Sequence, residues 1–492
     1  MAQTRRTSLV FAAVVLVTVG LIALSSSASP FAQVSSTAGA TTSCSQPAGV
    51  IRAQLSPTVF GEVTTYALPK PLKAPNSVTA APDGSVWFGE VALRGVAHLF
   101  TNGTLFQYAW PSSFVTPETQ CFDLSELWGI VLWHGMVWAS DSPNDQLVGL
   151  APSNDTFKTI PLASGSQPRF LVVDSLGNLW FTESSSHTQV GVISSPGATP
   201  RYFDVPAAAG EISASIVIHN ATTAYVVTVN PTNNAGQVFS FDPSASSPTF
   251  AQVGGNQTLL APYSAAVANG GLWVGQHDSS EVAFFNDTSS TWSFYPTSVN
   301  PEVPLTLPYY LLSNGSSVWF NEHDSNKIAV ITDATTLTEY NISSIPLDNP
   351  QRGGIGNVLT IGLDGDLVWF TEWTGNAVGF VNASVVPPFS VSSQHSSATV
   401  TPGSSVNVSL AVSGATSSPL SLQFADSESH SALPSNLSVT ASTQSIVGLS
   451  GTRSVVVTVR AAASTPLGDY FILATVTDGM TYRSVYVRIV VA

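Results

Sequence analysis

Apolar residues along this chain fall in short runs separated by Asp, Asn, Gly and Pro, and one such run recurs seven times. It reads Gly84-Ser-Val-Trp87-Phe88-Gly-Glu90, then Gly135-Met-Val-Trp138-Ala-Ser-Asp141, then Gly177-Asn-Leu-Trp180-Phe181-Thr-Glu183. A degenerate copy carries Tyr225. Gly271-Leu-Trp273-Val-Gly-Gln276, Ser317-Val-Trp319-Phe320-Asn-Glu322 and Asp366-Leu-Val-Trp369-Phe370-Thr-Glu372 follow. The aromatic anchors stand 42 to 51 residues apart. β units of that period are propeller blades.

The third repeat predicts four short strands: Phe170 to Val173, Leu179 to Phe181, Val190 to Ile193 and Tyr202 to Val205. A turn at Asp174-Ser-Leu-Gly177-Asn178 joins the first two. The other copies follow the same plan. The seventh stops after its third strand, near Asn382, and Val63-Thr-Thr-Tyr66-Ala-Leu-Pro69 supplies a fourth from the other end of the chain. Such a strand closes the ring and leaves no open sheet edge.

Beyond Pro387-Pro388 the repeat is gone. Alternating runs such as Val406 to Val412 and Ser454 to Arg460 predict an immunoglobulin-like β-sandwich. The expected fold is therefore all-β: a seven-bladed β-propeller over residues 59–385, then a sandwich over 386–492. Residues 1–32 read as a signal peptide, with a basic start at Arg5-Arg6, an apolar middle from Leu9 to Leu24 and a small-residue end. An uncleaved N-terminal anchor is the alternative. Residues 33–58 read as a tail or linker.

The chain has 492 residues, 44% hydrophobic and 9% charged, with 15 Lys and Arg against 30 Asp and Glu. That balance excludes the clustered basic footprint of a nucleic-acid binder. A secreted or cell-surface monomer is expected. In an oxidising compartment Cys44 and Cys121 would pair, with two separate thiols as the alternative. Ten N-x-[ST] sites, among them Asn102, Asn220 and Asn382, are candidate glycan acceptors.

Blade geometry locates a candidate site. The first strand of a blade starts, and the second ends, on one face, because they are antiparallel neighbours. Asn76, Trp128, Arg169, Tyr263, Tyr309 and Asn357 stand at first-strand starts, with no clear equivalent in the fourth repeat. They are the candidate ligand-binding residues, since aromatic faces with a few polar groups suit a small molecule or sugar. Glu90, Asp141, Glu183, Thr228, Gln276, Glu322 and Glu372 end the second strands. Glu90, Glu183, Glu322 and Glu372 are candidate metal ligands for Mg or Ca. Glu322, His323 and Glu372 are candidate catalytic groups. The competing reading makes the acids structural acceptors and the His277-Asp278 and His323-Asp324 pairs loop residues.

The Asp/Asn-Gly turn, the Trp-Phe-x-Glu phrase and a Tyr-x-x-Pro ending together resemble the streptogramin lyase (virginiamycin B lyase) family of seven-bladed propellers, over about residues 60–384. Trp369-Phe-Thr-Glu-Trp-Thr-Gly-Asn376 and Trp319-Phe-Asn-Glu-His-Asp-Ser-Asn326 are especially close. The resemblance implies elimination on a cyclic depsipeptide, using a base and magnesium, with catalytic histidines in Pro-His-x-Ile motifs at first-strand starts. Here those positions read Pro75-Asn76, Pro168-Arg169, Pro262-Tyr263 and Pro308-Tyr309. None supplies a ready base at neutral pH. The expectation is a propeller that binds a small molecule, glycan or cell-surface protein on its central face without the lyase reaction. A divergent metal-assisted lyase or hydrolase, and a structural envelope protein, are the alternatives.

Overall fold

A computed structural model of the chain describes residues 49–70, 73–114, 127–184, 188–255, 257–298, 305–333, 335–342, 358–373, 375–426 and 437–492. The expected signal segment, Cys44, Cys121 and Asn357 lie outside the described residues. Among the described residues no helix is long and apolar enough to cross a membrane.

The structure is all-β, built largely from antiparallel sheets of four or five strands that fit propeller blades. Each sequence repeat is one such sheet, except that the sixth continues into a larger one. In the third, Pro168–Val173, Leu179–Glu183, Gln189–Ile193 and Arg201–Asp204 lie side by side in chain order. The fourth repeat begins at Ile212–Asn220. In the seventh, Val358–Asp364, Leu367–Glu372 and Ala377–Asn382 are joined by Val63–Ala67 from the N-terminal side. Val63 pairs with Val381 and Ala67 with Ala377. First strands of successive repeats pack together in cyclic order, and the seventh packs on the first.

The recurrent phrase explains this packing. Neighbouring residues on a strand face opposite sides of the sheet. Trp and Phe of one phrase therefore serve two different seams. Trp138 shares a buried cluster with Phe181, Trp273 with Phe320, and Trp319 with Phe370. Trp369 shares one with Phe88, which joins the seventh repeat to the first. Small residues on the third strand make room for the ring behind them. A Cβ on Gly191 would lie 2.0 Å from Cζ of Phe181.

Two strands lie in the segment expected as a tail. Val50–Gln54 adds a fifth strand to the first repeat, beside Thr104–Ala109. Pro57–Phe60 adds a fifth to the seventh, beside Val63–Ala67.

The C-terminal residues form two sheets around one apolar core that includes Val408, Leu410, Val457, Ile472, Ala474 and Val487. This part does not hang free. Its last strand, Thr481–Val491, pairs antiparallel with Thr336–Asn341, the outer strand of the sixth repeat. The two modules thus share one continuous sheet of nine strands. The adjoining strand, Gly468–Thr477, is buried on both faces from Ile472 onward. Ile472, Ala474 and Val476 enter the C-terminal core, while Leu473 packs with Trp273, Tyr295 and Tyr486. The Tyr486 hydroxyl donates to the Pro296 carbonyl at 2.9 Å.

The Trp369–Phe88 seam closes the ring, so it should carry much of the stability. Replacing a fully buried tryptophan leaves a cavity, at a cost of about 3–5 kcal/mol. Trp369→Ala is expected to lower the unfolding free energy from urea titration by that amount, whereas truncating the exposed Leu176 should change it by less than about 0.5 kcal/mol.

Candidate functional site

Four repeats set up the axis of the ring by the same local device. In the first, third, fifth and sixth repeats the residue before the first-strand proline has a left-handed backbone: Ala74 (φ 48°), Gln167 (φ 46°), Ala261 (φ 41°) and Leu307 (φ 56°). That region costs a non-glycine residue about 1–2 kcal/mol. The turned carbonyl is used in return. Gln167, Ala261 and Leu307 accept the backbone N–H of Ser184, His277 and His323, at 3.1, 3.1 and 2.9 Å. The residue after each phrase is thereby fixed beside the first-strand start.

A register irregularity follows the proline, between Pro168 and Leu171 and between Pro308 and Leu311. A bulge re-aims side chains and strands an amide. The phrase supplies the acceptor: Phe170 N–H donates to Thr182 Oγ1 at 3.1 Å, and Tyr310 N–H to Asn321 Oδ1 at 2.8 Å. The bulge also explains how Tyr309 and Tyr310, adjacent in sequence, both join the axial cluster. Close approach needs glycine. A Cβ on Gly129 would lie 2.3 Å from the Arg169 carbonyl, and one on Gly275 would lie 2.9 Å from that of Tyr309.

The result is one axial cluster drawn from five repeats. Trp128, Tyr263, Tyr309, Tyr310, Leu359 and Trp373 pack together. The Arg169 guanidinium carbon lies 4.8 Å from the centre of the Trp128 ring. Phe170 of the third repeat stacks on Tyr310 of the sixth at 5.6 Å, across the ring. Tyr263 lies 5.4 Å from Tyr309, His277 5.1 Å from Tyr309, and His323 5.7 Å from Tyr309. Trp373 lies edge-on to His323 at 6.4 Å. Tyr309, His323 and Trp373 are buried and form the floor. Trp128, Arg169, Tyr263 and His277 are half-buried and form the rim. Burial pushes the Tyr309 and Tyr263 hydroxyls up in pKa, and the charge of Arg169 partly offsets this.

Four of the expected ligand-binding residues, Trp128, Arg169, Tyr263 and Tyr309, are thus brought together. Asn76 is buried on the first strand of its repeat. Its carbonyl accepts from the Thr360 and Thr371 hydroxyls at 2.6 and 2.5 Å, which ties the first repeat to the seventh. His277, Tyr310 and Trp373 were not among the expected ligand-binding residues. One signal could have found two of them: His277, His323 and Trp373 each follow the phrase directly in consecutive repeats.

The acids stand opposite the first-strand starts, Glu90 across from Pro75, Glu183 from Pro168, Glu322 from Pro308 and Glu372 from Val358. Their side chains are buried, and those with recorded partners bond within their own repeat or the adjoining one. Both Glu90 carboxylate oxygens accept from Gln107, at 2.6 and 2.7 Å. Asp141 accepts from Asn144 and Gln146 and lies 3.4 Å from Arg94. Glu322 lies 3.7 Å from Lys327, which lies 3.4 Å from Glu339. In the fourth repeat the acid comes from the first-strand side instead: Glu211 accepts from the Thr228 hydroxyl at 2.6 Å. Glu322 and His323, adjacent in the chain, therefore serve different environments, one inside the sheet and one on the axis. Among the described residues no group of three His, Cys, Asp or Glu side chains is placed to hold a metal ion.

Burial sets the charge state of these acids. It pushes Glu90 up to about 7 against the opposing pull of Gln107 and Lys73, and Glu372 up to about 7. Burial, together with the charge of Glu339, raises Glu322 well above the carboxylate range. A Ser85 Oγ–His98 Nε2 contact of 2.6 Å offers a second place for chemistry. Ser85 is buried, however, Asp83 accepts from its hydroxyl rather than orienting the imidazole, and burial pushes His98 down to about 4. This trio holds the turn before Trp87.

No protein-family model matches the chain, and no curated protein matches it. Solved structures do. A streptogramin B lyase structure is 19% identical and superposes with a TM-score of 0.50, covering 65% of this chain and 96% of its own. Virginiamycin B lyase from Staphylococcus aureus is also 19% identical, with a TM-score of 0.51 and coverage of 65% and 98%. A catalytically inactive variant of that enzyme with quinupristin gives 18% and 0.51 over the same shares. The chain is thus a β-propeller protein with a streptogramin lyase-like fold.

An acid whose pKa is raised on folding stabilises the native state below its unfolded pKa and loses that contribution as pH rises to the folded value. For Glu90 and Glu372 the window runs from about pH 4.5 to 7, with up to about 3 kcal/mol at stake per group. Unfolding free energy from urea titrations is expected to fall across that window. Glu372→Gln should flatten the fall, and an unchanged slope would mean that Glu372 is charged in the native protein.

Proposed function

We propose that this chain is an exported seven-bladed β-propeller, carrying an immunoglobulin-like sandwich, that binds a small molecule, glycan or surface partner on its central face without the lyase reaction. The seven repeat sheets, the cyclic packing of their first strands and the strand exchange at Val63–Ala67 support the blade count. Two sheets around one core support the sandwich. The basic, apolar and small-residue order of residues 1–32 supports export.

One observation carries the binding reading: Trp128, Arg169, Tyr263 and Tyr309, contributed by four separate repeats, meet on the axis. Aromatic groups there offer flat faces and polar edges without mobile loops. The rigid floor lowers the ordering cost of binding. The same residues argue against elimination. Asn76, Arg169, Tyr263 and Tyr309 occupy the positions where the resemblance expects histidine, and the raised tyrosine pKa values make poor bases at neutral pH.

A ligand that binds only the native state must raise the melting temperature. Screening the protein against neutral and charged oligosaccharides and cyclic peptides, with and without magnesium or calcium, is expected to return a metal-independent shift. Tyr263→Ala should weaken that ligand at least tenfold while the fold persists. Metal-dependent opening of a cyclic peptide would overturn the reading in favour of a lyase.

A further inference from the structure

Two buried cations of this propeller, Arg94 and Lys327, are matched by carboxylates. Arg94 lies 3.4 Å from Asp141. Lys327 lies 3.7 and 3.4 Å from Glu322 and Glu339, with the Tyr482 ring 4.1 Å away. The half-buried Arg169 differs from them. Its guanidinium lies over Trp128, yet among the described residues it makes no ion pair and no side-chain hydrogen bond, and its Nε is buried without an acceptor. A half-buried guanidinium has lost part of its hydration, and no hydrogen bond or ion pair among the described residues replaces it. Its planar fork of donors matches an anion with two in-plane oxygens.

We infer that the axial cluster binds a ligand carrying one carboxylate on a flat ring body, with the carboxylate held by Arg169. This rests on the central-face reading above. The number of cations selects the anion: Arg169 is the only Lys or Arg in the described cluster, which suits a single negative charge better than a phosphate dianion. The neighbours select the body. Tyr263 and His277, half-buried beside it, present ring faces and edges to an apolar or sugar-acid ring. Trp128 lies against the guanidinium, so it holds the fork in place and shields the pair from water, which strengthens a charge-assisted bond.

The test uses calorimetry on the full chain with phenylacetate and galacturonate, their neutral counterparts phenylacetamide and galactose, and inorganic phosphate. At least one carboxylate is expected to bind, with its neutral counterpart at least tenfold weaker and phosphate failing to compete. Arg169→Gln should reduce carboxylate affinity at least tenfold, and Arg169→Lys, which keeps the charge but not the fork, should fall between. Arg169→Gln should also melt no lower than the unaltered protein, because it removes an unpaired charge. A lower melting temperature would mean that Arg169 is a structural group, and would overturn the inference. Equal binding of carboxylate and neutral counterpart, weakened by Tyr263→Ala, would overturn the anion assignment and leave the central site standing. Carboxylate binding indifferent to both substitutions would place the ligand elsewhere and overturn both. No carboxylate binding at millimolar concentration would also overturn the inference.

Discussion

Everything in the ring depends on five backbone pairs between Val63–Ala67 and Ala377–Asn382. A sheet edge exposes unpaired amides and carbonyls, and a ring of separate sheets is held mainly by side-chain seams. Completing the seventh sheet with a strand from before the first repeat turns a row of seams into a circuit. Asn376 reinforces the joint, accepting from the Lys73 amide at 2.6 Å and donating to the Leu68 carbonyl at 3.1 Å. The axial cluster inherits its shape from this. Phe170 and Tyr310 can stack only if the third and sixth repeats are held at a fixed distance across the ring.

The sequence spoke clearly where one chemical demand recurs. A tryptophan that must fill each seam leaves a period, and the seventh repeat's missing strand announced its own replacement in Val63-Thr-Thr-Tyr66. First-strand starts were equally legible, because proline marks them and antiparallel pairing puts them on one face. Arg169, Tyr263 and Tyr309 were found that way, and Trp128, which follows Leu127 rather than proline, by its place ten residues before Trp138. Tyr310 was not, because a bulge that turns two successive side chains toward the axis leaves no mark in composition. Trp373 was missed because its counterparts in the preceding repeats are histidines. The join between Thr336–Asn341 and Thr481–Val491 is made by main-chain groups, which any sequence supplies. Its side-chain trace, the doubly buried run Ile472-Leu-Ala-Thr-Val476, reads equally well as an ordinary core strand.

The acids show how one pattern can carry two meanings. Glu at the end of Trp-Phe-x-Glu looks like a ring of catalytic or metal-binding carboxylates when only the face is considered. Strand alternation decides otherwise for the direction of the side chain. Glu322 turns into the sheet toward Lys327 and Ser325, and His323, one residue on, turns to the axis. The Thr or Asn before the acid holds the bulge amide, so the phrase from Trp to Glu is almost wholly scaffolding. Specificity is left to the residues that flank it.

The shared nine-stranded sheet also sets an order of events. Thr336–Asn341 has no neighbour on its outer side until Thr481–Val491, about 145 residues further along the chain, has been made. A nascent chain can therefore close its ring, once residue 382 is available, while the outer strand of the sixth sheet is still unpaired and the Lys327 ammonium lacks the Tyr482 ring beside it. Late pairing across about 145 residues is slow, and exposed edges are where chains join each other wrongly. Thr481–Val491 acts, in this sense, as a late clasp on the outer edge of the sixth sheet.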